Sequence, residues 1–171
     1  MDVVYNHHGK SADSNFDLIV PGYYFRLNDN GGFSNGSGTG NETASEHYMM
    51  SIFMVDSVTF WAEEYNISGF HFDLMKLHDV DTMNAIVDSV HAIDPTILIY
   101  GEPWDAGGSA LDEDIAACNS NLDQMPGVAV FNDDLMLPFK KKVEDELGVK
   151  LLSIMYLGRR HVNLRQCRDE V

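Results

Sequence analysis

Three short apolar runs of this sequence each end in residues able to do chemistry, and stretches of helical periodicity separate them. The runs are Asp2-Val-Val-Tyr5-Asn6-His7, Gly69-Phe-His71-Phe-Asp73 and Ile99-Tyr-Gly101-Glu102-Pro-Trp104. Between the first two, Met54, Val58, Trp61 and Tyr65 recur at spacings of four, three and four, which predicts one buried helix face between His47 and Tyr65. Between the second and third, Met83, Ile86, Val87, Val90 and Ile93 form another stripe, stopped at Asp94-Pro95 because a residue before proline is driven out of the helical region. The β-branched run Thr96 to Tyr100 and the run Val128 to Phe131 predict further strands, and Leu135, Phe139, Val143 and Leu147 a third helix face ending at Gly148. Strands alternating with helices imply a parallel α/β sheet, since parallel neighbours need a long crossover connection.

In a parallel barrel the loops that carry function lie just past the C-terminal ends of the strands. Asp73 and Glu102 are 29 residues apart, about one strand-helix-strand step, so on adjacent strands they stand side by side at one rim. Two carboxyls held close are the apparatus of retaining glycoside hydrolysis: one attacks the anomeric carbon, and the other, protonated, donates to the leaving oxygen. Any single acidic residue after a strand serves equally well as a helix cap or an ion-pair partner. Three such strand ends in sequence favour a common site.

These residues also carry a family resemblance. Asp2-Val-Val-Tyr-Asn6-His7, Gly69-Phe-His-Phe-Asp73-Leu-Met75 and Tyr100-Gly-Glu102-Pro-Trp104 resemble the first three signature regions of the α-amylase superfamily of glycoside hydrolases. The Asp-Leu-Met and Tyr-Gly-Glu-Pro-Trp combination is most similar to the pullulanase (type I) family, as is the stretch Tyr23 to Phe70 with Asn35-Gly-Ser-Gly and Gly40-Asn-Glu-Thr-Ala-Ser-Glu46. The resemblance runs from about residue 1 to Asp133. It implies a partial (β/α)8 barrel of about four strand-helix units, part of a fold that takes about 250 residues when complete. It implies Asp73 as nucleophile and Glu102 as general acid/base. Tyr5, Asn6, His7, His71 and Trp104 would contact the sugar, Tyr5 and Trp104 by their apolar faces, and Asp2 would brace the site. The substrate would be a branched α-glucan, cleaved at α-1,6 bonds in pullulan, starch or glycogen. A non-catalytic glucan-binding remnant, an inactive truncated frame and an α-1,4-acting amylase are the alternatives.

Two departures from the family pattern bear on the chemistry. His71 stands where the family has an arginine two residues before the nucleophile, and an imidazole cannot fork onto a carboxylate as a guanidinium does. The family's later His-Asp region has no match, the His78-Asp79 pair lying five residues after Asp73.

Charge divides the chain: residues 1–148, read as the partial catalytic domain, hold 6 basic against 25 acidic residues, while the tail 149–171 holds 5 against 2. The overall formal charge of −16 argues against a nucleic-acid partner, because phosphate backbones are bound by surplus Lys and Arg. No apolar run approaches the ~18 residues of a membrane helix, no targeting segment is visible, and the compartment stays unread. Cys118 and Cys167 form no CxxC pair. The Gly/Asn/Ser-rich stretch Asn28 to Asn41 reads as a long surface loop. The family often carries calcium, and the loop from Asp13 to Asn41 has oxygen donors enough to leave that cofactor open, although it lacks EF-hand spacing.

Overall fold

A computed structural model describes residues 1–132. The expected helix from Leu135 to Leu147, the boundary at Gly148, the basic tail, Asp133 and Cys167 lie outside the described residues. In chain order the elements are β1 (Asp2–Val3), α1 (Asn15–Ile19), α2 (Tyr48–Tyr65), β2 (Gly69–Phe72), α3 (Val80–Ile93), β3 (Leu98–Gly101) and β4 (Val128–Val130), with 3-10 turns at Met75–Leu77 and Asn119–Gln124. The strands take the spatial order β1-β2-β3-β4 in one sheet, and the β1–β2 and β2–β3 pairs are parallel. The chain divides into two units, Met1–Val128 and Ala129–Val171, and every feature described below lies in the first.

Burial decides the sheet's orientation. Phe70, Phe72 and Ile99 are fully buried and Val3 nearly so, whereas Leu98, Val4 and Asp2 on the alternate positions are exposed and His71 and Tyr100 half-buried. One sheet face is therefore apolar and covered, and the other carries Asp2, His71 and Tyr100 beside the exposed Val4 and Leu98.

α3 matches its expected stripe through Met83, Ile86, Val87 and Val90, but Ile93 is exposed at its last turn. Its start is set by Asp79, whose Oδ1 accepts the Thr82 N–H at 2.9 Å while Oδ2 accepts from Ser45 Oγ at 2.6 Å. The His78-Asp79 pair thus ends in a helix cap. Thr96 leads into β3 from a turn in which it bonds to Asp94 Oδ1 by both its N–H and its hydroxyl.

α2 differs from expectation in its buried face. The stripe is Met50, Met54, Val58 and Ala62, while Trp61 is half-buried and Tyr65 exposed. A run of small and flexible side chains at i, i+4 packs more closely against α3 than bulky aromatics would. Phe60, Trp61 and Tyr65 instead touch one another, with Trp61 and Tyr65 ring centroids 4.7 Å apart. Asn66, at φ 53°, ends the helix in the left-handed conformation that asparagine tolerates.

The stretch Asn28 to Asn41 is not only a surface loop: Ser34, Ser37 and Asn41 are buried. A Cβ on Gly36 would collide with the Glu42 carboxylate and Leu77, so glycine there lets the backbone approach a buried charge. Among the described residues no helix is long and apolar enough to cross a membrane.

His78 is fully buried, and neither ring nitrogen has a hydrogen-bond partner. Burial, then the nearby Arg26 guanidinium, lower its pKa to about 3. The unfolded chain binds this proton below about 6.5 and the folded chain does not, so stability falls as pH drops from about 6.5 towards 3. Urea denaturation at pH 7 and pH 5 should show this chain losing about 2 kcal/mol more than a His78→Leu variant between those conditions, near 1.4 kcal/mol for each pH unit below 6.5.

Candidate active site

The two carboxylates reach the same rim because the strand ladders continue past the strands. Asp2 pairs with His71 and His71 with Tyr100, and one step on Val3 pairs with Phe72 and Phe72 with Gly101. The next backbone bonds run from Asp73 N–H to Val3 O and from Glu102 N–H to Phe72 O, both 3.1 Å. Asp73 and Glu102 thus leave adjacent strands at one level. Both are half-buried.

A hydrogen bond ties the turn after Asp73 to Glu102. Glu102 Oε2 accepts the backbone N–H of Leu74, the residue after Asp73, at 3.1 Å. Leu74 has φ 42° and ψ 48°, a left-handed conformation rare for a leucine. That conformation turns the chain out of β2 into the 3-10 turn. Backbone strain of this kind costs about 1–3 kcal/mol and collects at functional sites.

Asn6 joins the third strand end to the pair. Fully buried, it donates from Nδ2 to the Asp73 carbonyl at 2.7 Å and to Asp73 Oδ2 at 2.8 Å. With its amide nitrogen so used, its Oδ1 accepts from His7 Nδ1 at 2.6 Å. The proton of a neutral His7 is thereby assigned to Nδ1, leaving Nε2 as the acceptor. The segment is clamped from the loop: Thr43 N–H donates to Asn6 O (2.9 Å) and Thr43 Oγ1 to Tyr5 O (2.6 Å). Asn41 holds the backbone of His8 at both its N–H and its C=O.

The remaining expected residues fall in two groups. Asp2 Oδ1 pairs with His71 Nδ1 at 2.6 Å, and the His71 ring lies 5.1 Å from that of Tyr100. Trp104 is half-buried two residues past Glu102. Tyr5 departs from the expectation of an open sugar platform. Its hydroxyl donates to Ser57 Oγ on α2 at 2.8 Å, and its ring meets Phe53 and Phe72 at 6.3 and 6.1 Å. Burial pushes the phenol pKa up in spite of the Ser57 bond. Tyr5 is a strut between the end of β1 and α2, because its ring gains more by packing than by facing water.

Sequence reasoning missed the ionic frame beneath the rim. Arg26, nearly buried, donates to Glu42 Oε1 at 2.8 Å and forks onto both Glu46 oxygens at 2.9 and 2.6 Å. Glu42, fully buried, also accepts from Gly36 N–H, Ser109 Oγ and Ala110 N–H. The Leu77 carbonyl accepts from Arg26 as well. One guanidinium and one carboxylate thus tie the loop after α1, the turn after Asp73 and the chain beyond Glu102. Spacing could not reveal this, although Glu42 and Glu46 lie inside the Gly40 to Glu46 stretch that resembles the family.

No three His, Cys, Asp or Glu side chains converge into a metal cluster among the described residues. In the Asp13 to Asn41 loop the candidate oxygens have other work: Asp13 pairs with Lys10, Asp17 accepts from Gly22 N–H, and Asn28 accepts from Asn30 and Gly32 N–H.

The rim is thus the end of a parallel α/β sheet that presents Asp73 and Glu102 beside the Asn6-His7 dipeptide. No protein-family model matches the sequence. The pullulanase of Bacillus subtilis is 43% identical over 133 residues, covering 78% of this chain and 18% of that protein. A pullulanase of Paenibacillus barengoltzii, solved with maltohexaose and α-cyclodextrin, superposes with a TM-score of 0.76 at 42% identity, covering 80% of this chain and 21% of that one. A pullulanase of Anoxybacillus sp. LM18-11, solved with maltotetraose, gives 0.74 at 47% identity, covering 77% and 19%. The chain spans only a small part of the length of the relatives it matches, from 11% to 21%. In sequence and in structure alike it is similar to one part of the pullulanases.

Removing one member of a buried ion-paired cluster costs about 3–5 kcal/mol because it strands the opposite charge. Glu42→Ala should therefore lower the urea-unfolding free energy by that amount, whereas Asp13→Ala, which breaks an exposed pair with Lys10, should change it by less than about 0.5 kcal/mol.

Proposed function

We propose that this chain carries part of the active site of a pullulanase-type retaining glycoside hydrolase acting on α-1,6-glucosidic bonds of branched α-glucans. The observation that carries the reading is the chain of hydrogen bonds from Asn6 to Asp73 and from Leu74 N–H to Glu102, which holds two carboxylates at one rim. The relatives solved with maltohexaose and maltotetraose support an α-glucan as the ligand. Parallel strands with their functional residues past the C-terminal ends, and a sheet face left uncovered, support a partial (β/α)8 barrel whose inner face this is.

In this reading Asp73 attacks the anomeric carbon while Glu102 gives its proton to the glycosidic oxygen, and the leaving glucan departs with that proton. A glycosyl ester on Asp73 results. Glu102, now ionised, takes a proton from water as the water oxygen attacks the same carbon, which frees Asp73 and regenerates the acid. Asn6 orients the Asp73 carboxylate through Oδ2. His7, its Nδ1 proton committed to Asn6, offers Nε2 to a sugar hydroxyl. Trp104 supplies an apolar face to a pyranose ring, and the Asp2–His71 pair supports the row beneath Asp73.

Incubation with pullulan and with linear amylose tests the substrate class. In a chain extended to a full barrel the reading expects reducing ends from pullulan, and a loss of at least about a thousandfold in kcat for Asp73→Asn and for Glu102→Gln, whereas the 171 residues alone should hydrolyse pullulan at a negligible rate because no third carboxylate stabilises the developing charge. Release from amylose alone would mark an α-1,4-acting enzyme, and binding without release a non-catalytic glucan module. In the same extended chain, His71→Arg, which allows forked pairing with Asp2, should raise kcat by up to about tenfold, equivalent to about 1.4 kcal/mol at the transition state. An unchanged or lower value would show that the imidazole already suffices.

A further inference from the structure

We infer that Lys76 is a positioning residue for the segment that bears Glu102 and Trp104, an inference that rests on the roles proposed above for those two residues. Lys76 lies in the 3-10 turn Met75–Leu77, three residues after Asp73. Its N–H donates to the Glu102 carbonyl at 3.2 Å. Its ammonium reaches Asp105 Oδ2 at 2.9 Å and Glu113 Oε1 at 2.7 Å. One residue beside the proposed nucleophile therefore holds the chain at Glu102, at Asp105 and at Glu113.

The two carboxylates are not equal. The side chains of Lys76 and Asp105 are 20% and 17% exposed, whereas that of Glu113 is 70% exposed. The Asp105 arm is the less screened and the Glu113 arm closes the ammonium from outside. The hydrogen bond to Glu113, then that to Asp105, raise the Lys76 pKa against its burial. Partial burial opposes ionisation of Asp105, but the Lys76 bond and the N–H of Gly108 outweigh it, so its pKa is lowered.

Asp105 also shapes its own loop, since its Oδ1 accepts the Gly108 N–H at 2.9 Å, and the Ala106 N–H reaches Gly36 O at 2.8 Å. Trp104 thus sits between two tethered residues, Glu102 and Asp105. Without the ammonium, Asp105 and Glu113 lose the cation they share, and the tether on the far side of Trp104 is released. A displacement of Glu102 by about 1 Å is enough to cost about a hundredfold in rate.

The test uses the full chain carrying Trp61→Phe, which leaves Trp104 as its single tryptophan. Acrylamide quenching of Trp104 fluorescence is read without any sugar, and kcat and KM on pullulan are read separately in the same variants extended to a full barrel. Lys76→Met should raise the quenching constant about twofold or more and lower kcat at least about tenfold with a smaller change in KM. Lys76→Arg should restore much of both, because the role belongs to the cation. The double variant Asp105→Asn with Glu113→Gln, which keeps side-chain size, should reproduce the Lys76→Met effect and decides the matter if that variant fails to fold. Quenching and kcat that stay within about 1.5-fold of the parent in either charge-removing variant would overturn the inference. Absence of pullulan hydrolysis in the extended parent would refute the glycosidase reading alone, and the quenching series on the 171-residue chain would still decide whether Lys76 holds Trp104.

Discussion

Side chains alternate along a strand, so β1, β2 and β3 can bring Asn6, Asp73 and Glu102 to one rim only in the register they have. A slip of one residue in β2 would turn Phe70 and Phe72 to the other face and force His71 and Asp73 into the core. Each large apolar side chain removed from water is worth about 1.5–3 kcal/mol, and an ionised carboxylate without partners is strongly disfavoured in their place. The same apolar burial that drives the sheet to form therefore selects the register that aligns the carboxylates. Folding and site construction depend on one constraint.

Register alone brings residues near one another without aiming them. Aiming falls to buried polar contacts: the Asn6 amide, spread over Asp73 and His7, and the Leu74 N–H on Glu102. Behind these stands the Arg26–Glu42–Glu46 cluster, which joins three separate stretches of chain. Such a cluster is weak evidence for high stability, since taking the charges out of water offsets much of their attraction. What it contributes here is geometry: Arg26 satisfies a carbonyl in the turn after Asp73, and Glu42 accepts from Ser109 and Ala110 beyond Trp104.

The strands, the α3 stripe and the placement of Asp73 and Glu102 at neighbouring strand ends were legible in the sequence, because periodicity and strand-end position are local signals. Trp61 and Tyr65 misled because their spacing fits a helix face as well as that of Met50 and Ala62 does. Spacing does not report which of two stripes packs more closely. Tyr5 looked like a platform for sugar until its hydroxyl was seen to reach Ser57, 52 residues away. Ser34, Ser37 and Asn41 read as loop residues and are buried, since small polar side chains can satisfy backbone groups inside a loop as water does outside it. Arg26, Lys76 and their carboxylates carried no local signal at all, because their pairing is set by tertiary approach.

The central claim is that Asp73 is the nucleophile of a retaining glycosidase and Glu102 its acid/base. Mass spectrometry of the chain extended to a full barrel, after incubation with a fluorinated α-glucosyl fluoride whose slowed second step lets the ester accumulate, tests this most directly. The account predicts a single glycosyl adduct on the peptide that contains Asp73, with enhanced labelling of none of the other carboxylates. An adduct on a different residue, or pullulan turnover with no covalent adduct, would contradict it.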